Sequence, residues 1–160
     1  MSGPRLRVSE GAAAIALVAA WLACRGCAEG SASGPPVVHL GDSICAECGM
    51  IISDARFASA TIVTDERGPV PVLFDDFNCQ SSYESGHRDR PIVARWSHDY
   101  DSGDWIHMME GGFILRSPNI ESPMASHVAA FRTRDGAEAA KIKFGGEIIG
   151  FDQVLNEPEP

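Results

Sequence analysis

The chain has 160 residues, 44% of them hydrophobic, and a formal net charge of −9. That is enough apolar material for one compact domain or two very small lobes. The acidic balance argues against nucleic-acid binding, because a phosphate backbone demands clustered Lys and Arg.

Arg5 and Arg7 precede an apolar run over residues 11–22. This run is too short for a membrane-spanning helix, which needs about 20 residues. The basic flank, short apolar core and small Ala23 predict a secretory signal over residues 1–23. The window Ala20-Trp21-Leu22-Ala23-Cys24 resembles a bacterial lipobox, which makes Cys24 the expected lipidation site. Cys27 is the rival, with Arg25 two places before it. Simple secretion without an anchor is the bland alternative. Residues 24–42 then read as the lipid attachment and a flexible tether rich in Gly and Pro. Either way the mature chain belongs outside the cytoplasm, in an oxidising compartment.

Next comes Ile44-Cys45-Ala46-Glu47-Cys48-Gly49-Met50-Ile51-Ile52. The Cys-x-x-Cys spacing brings two sulfurs within reach of one metal or one disulfide. With the thioether of Met50 beside them, the donors suit Cu(I) better than any hard ion. Residues 57–64, rich in Thr, Ile and Val, predict a strand, followed by a turn at 65–68 and a second strand over 70–74. Pro71 confines that second strand to an edge or an end. Asp75 or Asp76 caps an expected helix to about residue 85, and residues 91–97 form a third strand with Ile92, Ala94 and Trp96 on one face.

The order then repeats. Strands are expected over 113–116 and 127–132, separated by a Pro-containing loop over 117–126. Thr133 caps an Ala-rich helix to about Phe144 that ends at Gly145-Gly146, and residues 147–151 form the last strand. The expected fold is therefore α+β, two small ββαβ units over about 43–100 and 104–155, packed together because neither alone buries much core.

Each half carries a methionine in a loop ahead of a strand, Met50 and Met124. If the halves pack by pseudo-symmetry, Cys45, Cys48, Met50, Met124 and His127 converge on one sulfur-rich pocket. Cu(I) needs only two or three of them. Other readings stay open: a Cys45–Cys48 disulfide, a zinc site short of donors, or thiol–disulfide exchange. Met50 and Met124 can equally be core fillers. Cys79 reads as a small buried hydrophobe within the first helix, His98 and Asp99 as a turn, and His107-Met108-Met109 as a second soft cluster outside the repeat. No Ser/His/Asp set, catalytic carboxylate pair or phosphate loop stands out, so no enzyme is expected. The enzymatic alternatives are a thiol oxidoreductase or an organomercurial lyase, for which Cys79 would have to approach the other pair.

The lipobox-like start, Cys45-x-x-Cys48-Gly49-Met50, Phe74-Asp75-Asp76 leading into a helix, Ser117-Pro118, Ser122-Pro123-Met124, and Phe131 ahead of the Ala-rich helix together resemble the NosL family of nitrous oxide reductase accessory lipoproteins. The resemblance spans residues 43–155. It implies a periplasmic Cu(I) chaperone tethered to the outer membrane. Copper would pass through a membrane ABC-type complex to nitrous oxide reductase during denitrification. It also implies two ββαβ halves like those of the organomercurial lyase MerB. Cys48 and Met50 match the family motif first, then Met124, then Cys45 and His127. Ala125 stands where that motif would carry glycine.

Overall fold

The computed structural model describes residues 34–156. The expected signal segment, Cys24, Cys27 and the acidic tail after Asn156 lie outside the described residues. Asp54 caps a short 3-10 turn, Ala55–Phe57, by accepting the Arg56 amide, and Phe57 drops into the interior. Strands β1 (Ser59–Asp65) and β2 (Gly68–Phe74) form a hairpin whose register runs from Ser59↔Phe74 to Asp65↔Gly68. The Asp65 carboxylate accepts the Arg67 amide at 2.7 Å and so steadies the turn. β2 carries Pro69 and Pro71 and lies at the edge of its sheet, where strand prolines are tolerated.

Helix α1 (Phe77–Gly86) starts where the Asp76 side chain accepts the Asn78 amide at 3.0 Å. It buries Phe77, Cys79, Gln80, Ser81 and Tyr83, more than a single face. Tyr83 lies 5.3 Å from the Phe74 ring on β2, while the Ser81 hydroxyl donates to the Leu155 carbonyl at 2.8 Å. The buried Gln80 side chain donates from Nε2 to the Thr61 hydroxyl at 3.0 Å, while its Oε1 has no partner among the described residues. Strand β3 (Ile92–His98) pairs with β1, and β4 (Trp105–His107) pairs with β3, so the sheet order is β2-β1-β3-β4, all antiparallel. Of Ile92, Ala94 and Trp96, only Ala94 is fully buried. β1 shifts register against β3 between Ile62 and Val63, and such a bulge re-aims side chains.

The second run is β5 (Phe113–Arg116), β6 (Val128–Phe131), α2 (Arg134–Phe144) and β7 (Glu147–Ile149), with sheet order β6-β5-β7. That order matches β2-β1-β3 strand for strand, so the expected pair of ββαβ units is the observed architecture. Thr133 caps α2 through the Gly136 amide. At Gly146, φ is +87° and a Cβ would stand 2.0 Å from the Arg116 carbonyl oxygen, so only glycine admits β7 beside β5.

Two elements depart from the sequence reading. β4 falls on the second side of the expected boundary yet pairs with β3 of the first sheet. The last strand stops at Ile149, and Phe151 opens a short helix, α3 (Phe151–Asn156), packing edge-on to Phe77 at 6.0 Å. Among the described residues the core has three parts. One, including Cys45, Ile52, Val63, Phe74, Cys79 and Tyr83, lies between the cysteine loop, the first sheet and α1. A second, around Phe77, Ile106, Ile114, Val128, Ile149 and Val154, joins the two runs. The third packs α2 on the second sheet through Leu115, Ala129, Phe131, Ala137 and Ala140.

Candidate metal centre

Ahead of β1 the chain doubles back on itself. Ile44 and Ile51 form an isolated antiparallel bridge, the Cys45 amide donates to the Met50 carbonyl at 2.8 Å, and the Gly49 amide donates to the Cys45 carbonyl at 3.0 Å. Gly49 closes this turn at φ +74°, in the left-handed region that favours glycine. The Ala46 amide donates to the Leu73 carbonyl at 2.9 Å, which seats the loop against the end of β2 and so beside Asp75.

That seat gathers three thiols and a carboxylate. One ligand atom from each of Cys45, Cys48, Asp75 and Cys79 lies within 4.8 Å of the others. Cys45 and Cys79 are 1% and 3% exposed. Cys48 is half-buried, and its thiol donates to Asp75 Oδ1 at 3.7 Å. Cys79 comes from the first turn of α1, immediately behind the Asp76 cap. All three cysteines are free.

The thiols share charge unequally. The Cys79 thiol hydrogen-bonds to Cys45 and brings the Cys45 pKa down to about 6 against the cost of burial, with the amides of Cys48, Asp75 and Glu47 assisting. Cys79 moves strongly the other way, because its proton is held by the Cys45 sulfur and burial penalises its own charged form. Burial also raises Cys48, against the Met50 amide. These shifts favour the negative charge on the Cys45 sulfur and the protons on Cys48 and Cys79. Sulfur donors of this kind suit soft and borderline ions, Cu(I) and zinc among them.

Met50 follows the pair on the outer side of the loop and is 56% exposed. Met124, 36% exposed, is brought to the same end of α1 by Asp76: its amide donates to Asp76 Oδ2 at 2.9 Å, and its carbonyl accepts from the Asn78 side chain at 3.1 Å. The two methionine loops do not occupy equivalent places in the repeat, since Met50 precedes β1 and Met124 lies between β5 and β6. Met124 approaches through the Asp76 latch, not through pseudo-symmetry. His127 is not among the gathered ligand atoms. Its Nδ1 lies 2.8 Å from the Ile120 carbonyl, and its ring lines a separate cavity with Arg116, Gly146 and Glu147.

Cys79, expected as an apolar filler, is buried as such and nevertheless stands in the cluster beside Asp75. In the sequence Asp75 is legible only as a helix-cap candidate, and Cys79 as a helix residue whose approach to the other pair is the condition of the enzymatic alternatives. His98 closes β3, buried, stacked on Trp105 at 3.7 Å, and burial lowers its pKa against the Ala58 carbonyl contact. Met108 is buried in the core shared by both runs, so His107-Met108-Met109 does not present its sulfurs together.

A family model for NosL matches residues 36–158. The chain belongs to the NosL family. Among solved structures, the crystal structure of the copper chaperone NosL from Shewanella denitrificans matches with a TM-score of 0.61 at 14% identity, covering 76% of this chain and 95% of that one. At that identity the likeness speaks for the shared fold. No curated protein matches the chain significantly.

Proposed function

We propose that this NosL-family chain is a Cu(I) metallochaperone on the periplasmic side of the cell envelope, anchored through a lipid on Cys24. On this reading it passes copper through a membrane ABC-type complex to nitrous oxide reductase as the copper centres of that enzyme assemble. It is a carrier, not an enzyme. The copper reading is carried by one observation, the gathering of the Cys45, Cys48 and Cys79 thiols around Asp75. Deep Cys45 and Cys79 would retain the ion, while half-buried Cys48 and the exposed thioethers of Met50 and Met124 would offer ligands that exchange without opening the core. A thioether binds without releasing a proton, which favours handing the ion on. Delivery, location and anchor draw their support from the family and from the sequence ahead of residue 34.

Titration of the reduced chain with Cu(I) against a competing chelator tests the binding. The expected result is one tightly held ion. A Cys45→Ser/Cys79→Ser variant should lose more than the roughly 10–100-fold typical of an outer-shell change. A parent that binds no tighter than this variant would end the reading. For delivery, cells lacking the chain should accumulate copper-deficient nitrous oxide reductase, and a fully metallated enzyme would refute that step. Clustered thiols beside an acid also meet the condition set for an organomercurial lyase. Turnover of an organomercurial by the same preparation would replace the chaperone reading.

A further inference from the structure

The depth of the cluster limits how cargo can leave. Cys45 and Cys79 are almost wholly buried, so an incoming donor meets Cys48, Met50 and Met124 first. Beside this opening, Ile44 and Ile51 sit together across their bridge at 53% and 52% exposure, next to the exposed Met50. Grouped apolar side chains left in water mark an interaction site more often than chance exposure. The charge of this face is equally one-sided. Segments 34–54 and 117–127 contain no Lys or Arg, yet they present Asp42, Glu47 and Glu121 to solvent. The Glu47 carboxylate is drawn aside by the Ser82 hydroxyl.

We infer that this face docks a copper-exchanging protein whose own soft donor sits in an apolar patch rimmed by Lys and Arg. The inference rests on the chaperone reading and names the partner that reading requires. Apolar contact excludes water around the ion, and opposite charges speed encounter and fix orientation. During exchange a bond from copper to the partner's thioether forms as a bond to Met50 or Met124 breaks. Copper stays monovalent, no electron moves, Cys48 and Cys79 each recover a proton from solvent as copper leaves them, and Cys45 stays a thiolate.

The test uses the full chain and two synthetic peptides sharing a Met-Leu-Leu-Met core, one flanked by lysines and one by glutamates. Cu(I) transfer to the lysine peptide should be at least about tenfold faster at low salt, within the range that electrostatic steering supplies. The advantage should shrink at about 0.5 M salt, where screening shortens to a few ångströms. An Ile44→Ser/Ile51→Ser variant should transfer several-fold more slowly while its chelator-measured Cu(I) affinity stays at the parent value. Equal rates for the two peptides overturn the inference, as does an unchanged rate in the double variant. Sedimentation showing a dimer that the double variant abolishes also overturns it, since the face would then be covered by a second copy. A chain that holds no Cu(I) fails the chaperone reading separately. The surface is then decided by whether the metal-free chain binds the lysine peptide in preference to its twin.

Discussion

Cys45 is the residue on which the chemistry turns. Its pKa of about 6, set first by the Cys79 hydrogen bond, leaves it ionised at neutral pH although it is buried. Thiolate absorbance of the metal-free chain should therefore rise with a midpoint near 6, and Cys79→Ala should move that midpoint back toward the ordinary value of 9.0. Stability follows the same window. Between those two values the unfolded chain still holds the Cys45 proton that the folded chain has released, so stability climbs as pH rises from 6 to 9. The denaturation midpoint of Cys45→Ser should lack that climb, and a parent-like climb in the variant would refute the assignment. The Cys45/Cys48 pair was legible because its spacing is local. Cys79 and Asp75 were not, because only tertiary packing brings α1 to the cysteine loop. Ala125 is the reverse case. It stands where the resemblance leads one to expect glycine, and its φ is +53°. A left-handed alanine costs about 1–2 kcal/mol, part of which glycine loses again to its freedom in the unfolded chain. Ala125→Gly should therefore raise stability by up to about 1 kcal/mol, measured by denaturant unfolding.

At the level of elements, the amino end of α1 is the joint of the site. Asp76, fully buried, caps its own helix and also accepts the Met124 amide from the other run, while Asn78 returns a hydrogen bond to the Met124 carbonyl. Removing the carboxylate loses a cap, about 1 kcal/mol, and strands a partly buried amide, about 1–3 kcal/mol more. Asp76→Ala should accordingly lower unfolding free energy by about 2–4 kcal/mol. It should also weaken Cu(I) binding about as much as Met124→Leu does. A loss of stability with copper affinity intact would separate the latch from the site. An aspartate cap at 75 or 76, the cap at Thr133 and the helix end at Gly145 were readable because each is a local signal, and the Asn78 amide decides for Asp76. β4 and α3 were not, since three and six residues carry too little periodicity. Both are held by distant partners, β4 by pairing with β3 and α3 by Phe77 and Ser81 of α1.

Across the whole molecule, the two ββαβ runs share one apolar cluster, with Phe77 and Ile106 from the first side meeting Ile114, Val128 and Ile149 from the second. The repeat itself was legible, since both runs alternate and cap alike. How they join was not, because the shared cluster draws only one or two residues from each of six elements, with Met108 from a loop. The cysteines belong to the first run and Met124 to the second, so an ion held by both would tie the runs together as the core already does. Cu(I) should then raise the stability of the chain as a unit. Free ligand at 1,000 times its dissociation constant adds about 4 kcal/mol when it binds only the folded state. The expected thermal melt is one cooperative transition that moves upward with Cu(I). It should move less in Met124→Leu, and not at all in Cys45→Ser/Cys48→Ser/Cys79→Ser. Calorimetry resolving two transitions, with copper shifting only one, would show that the ion belongs to the first run alone and that Met124 stands outside its coordination.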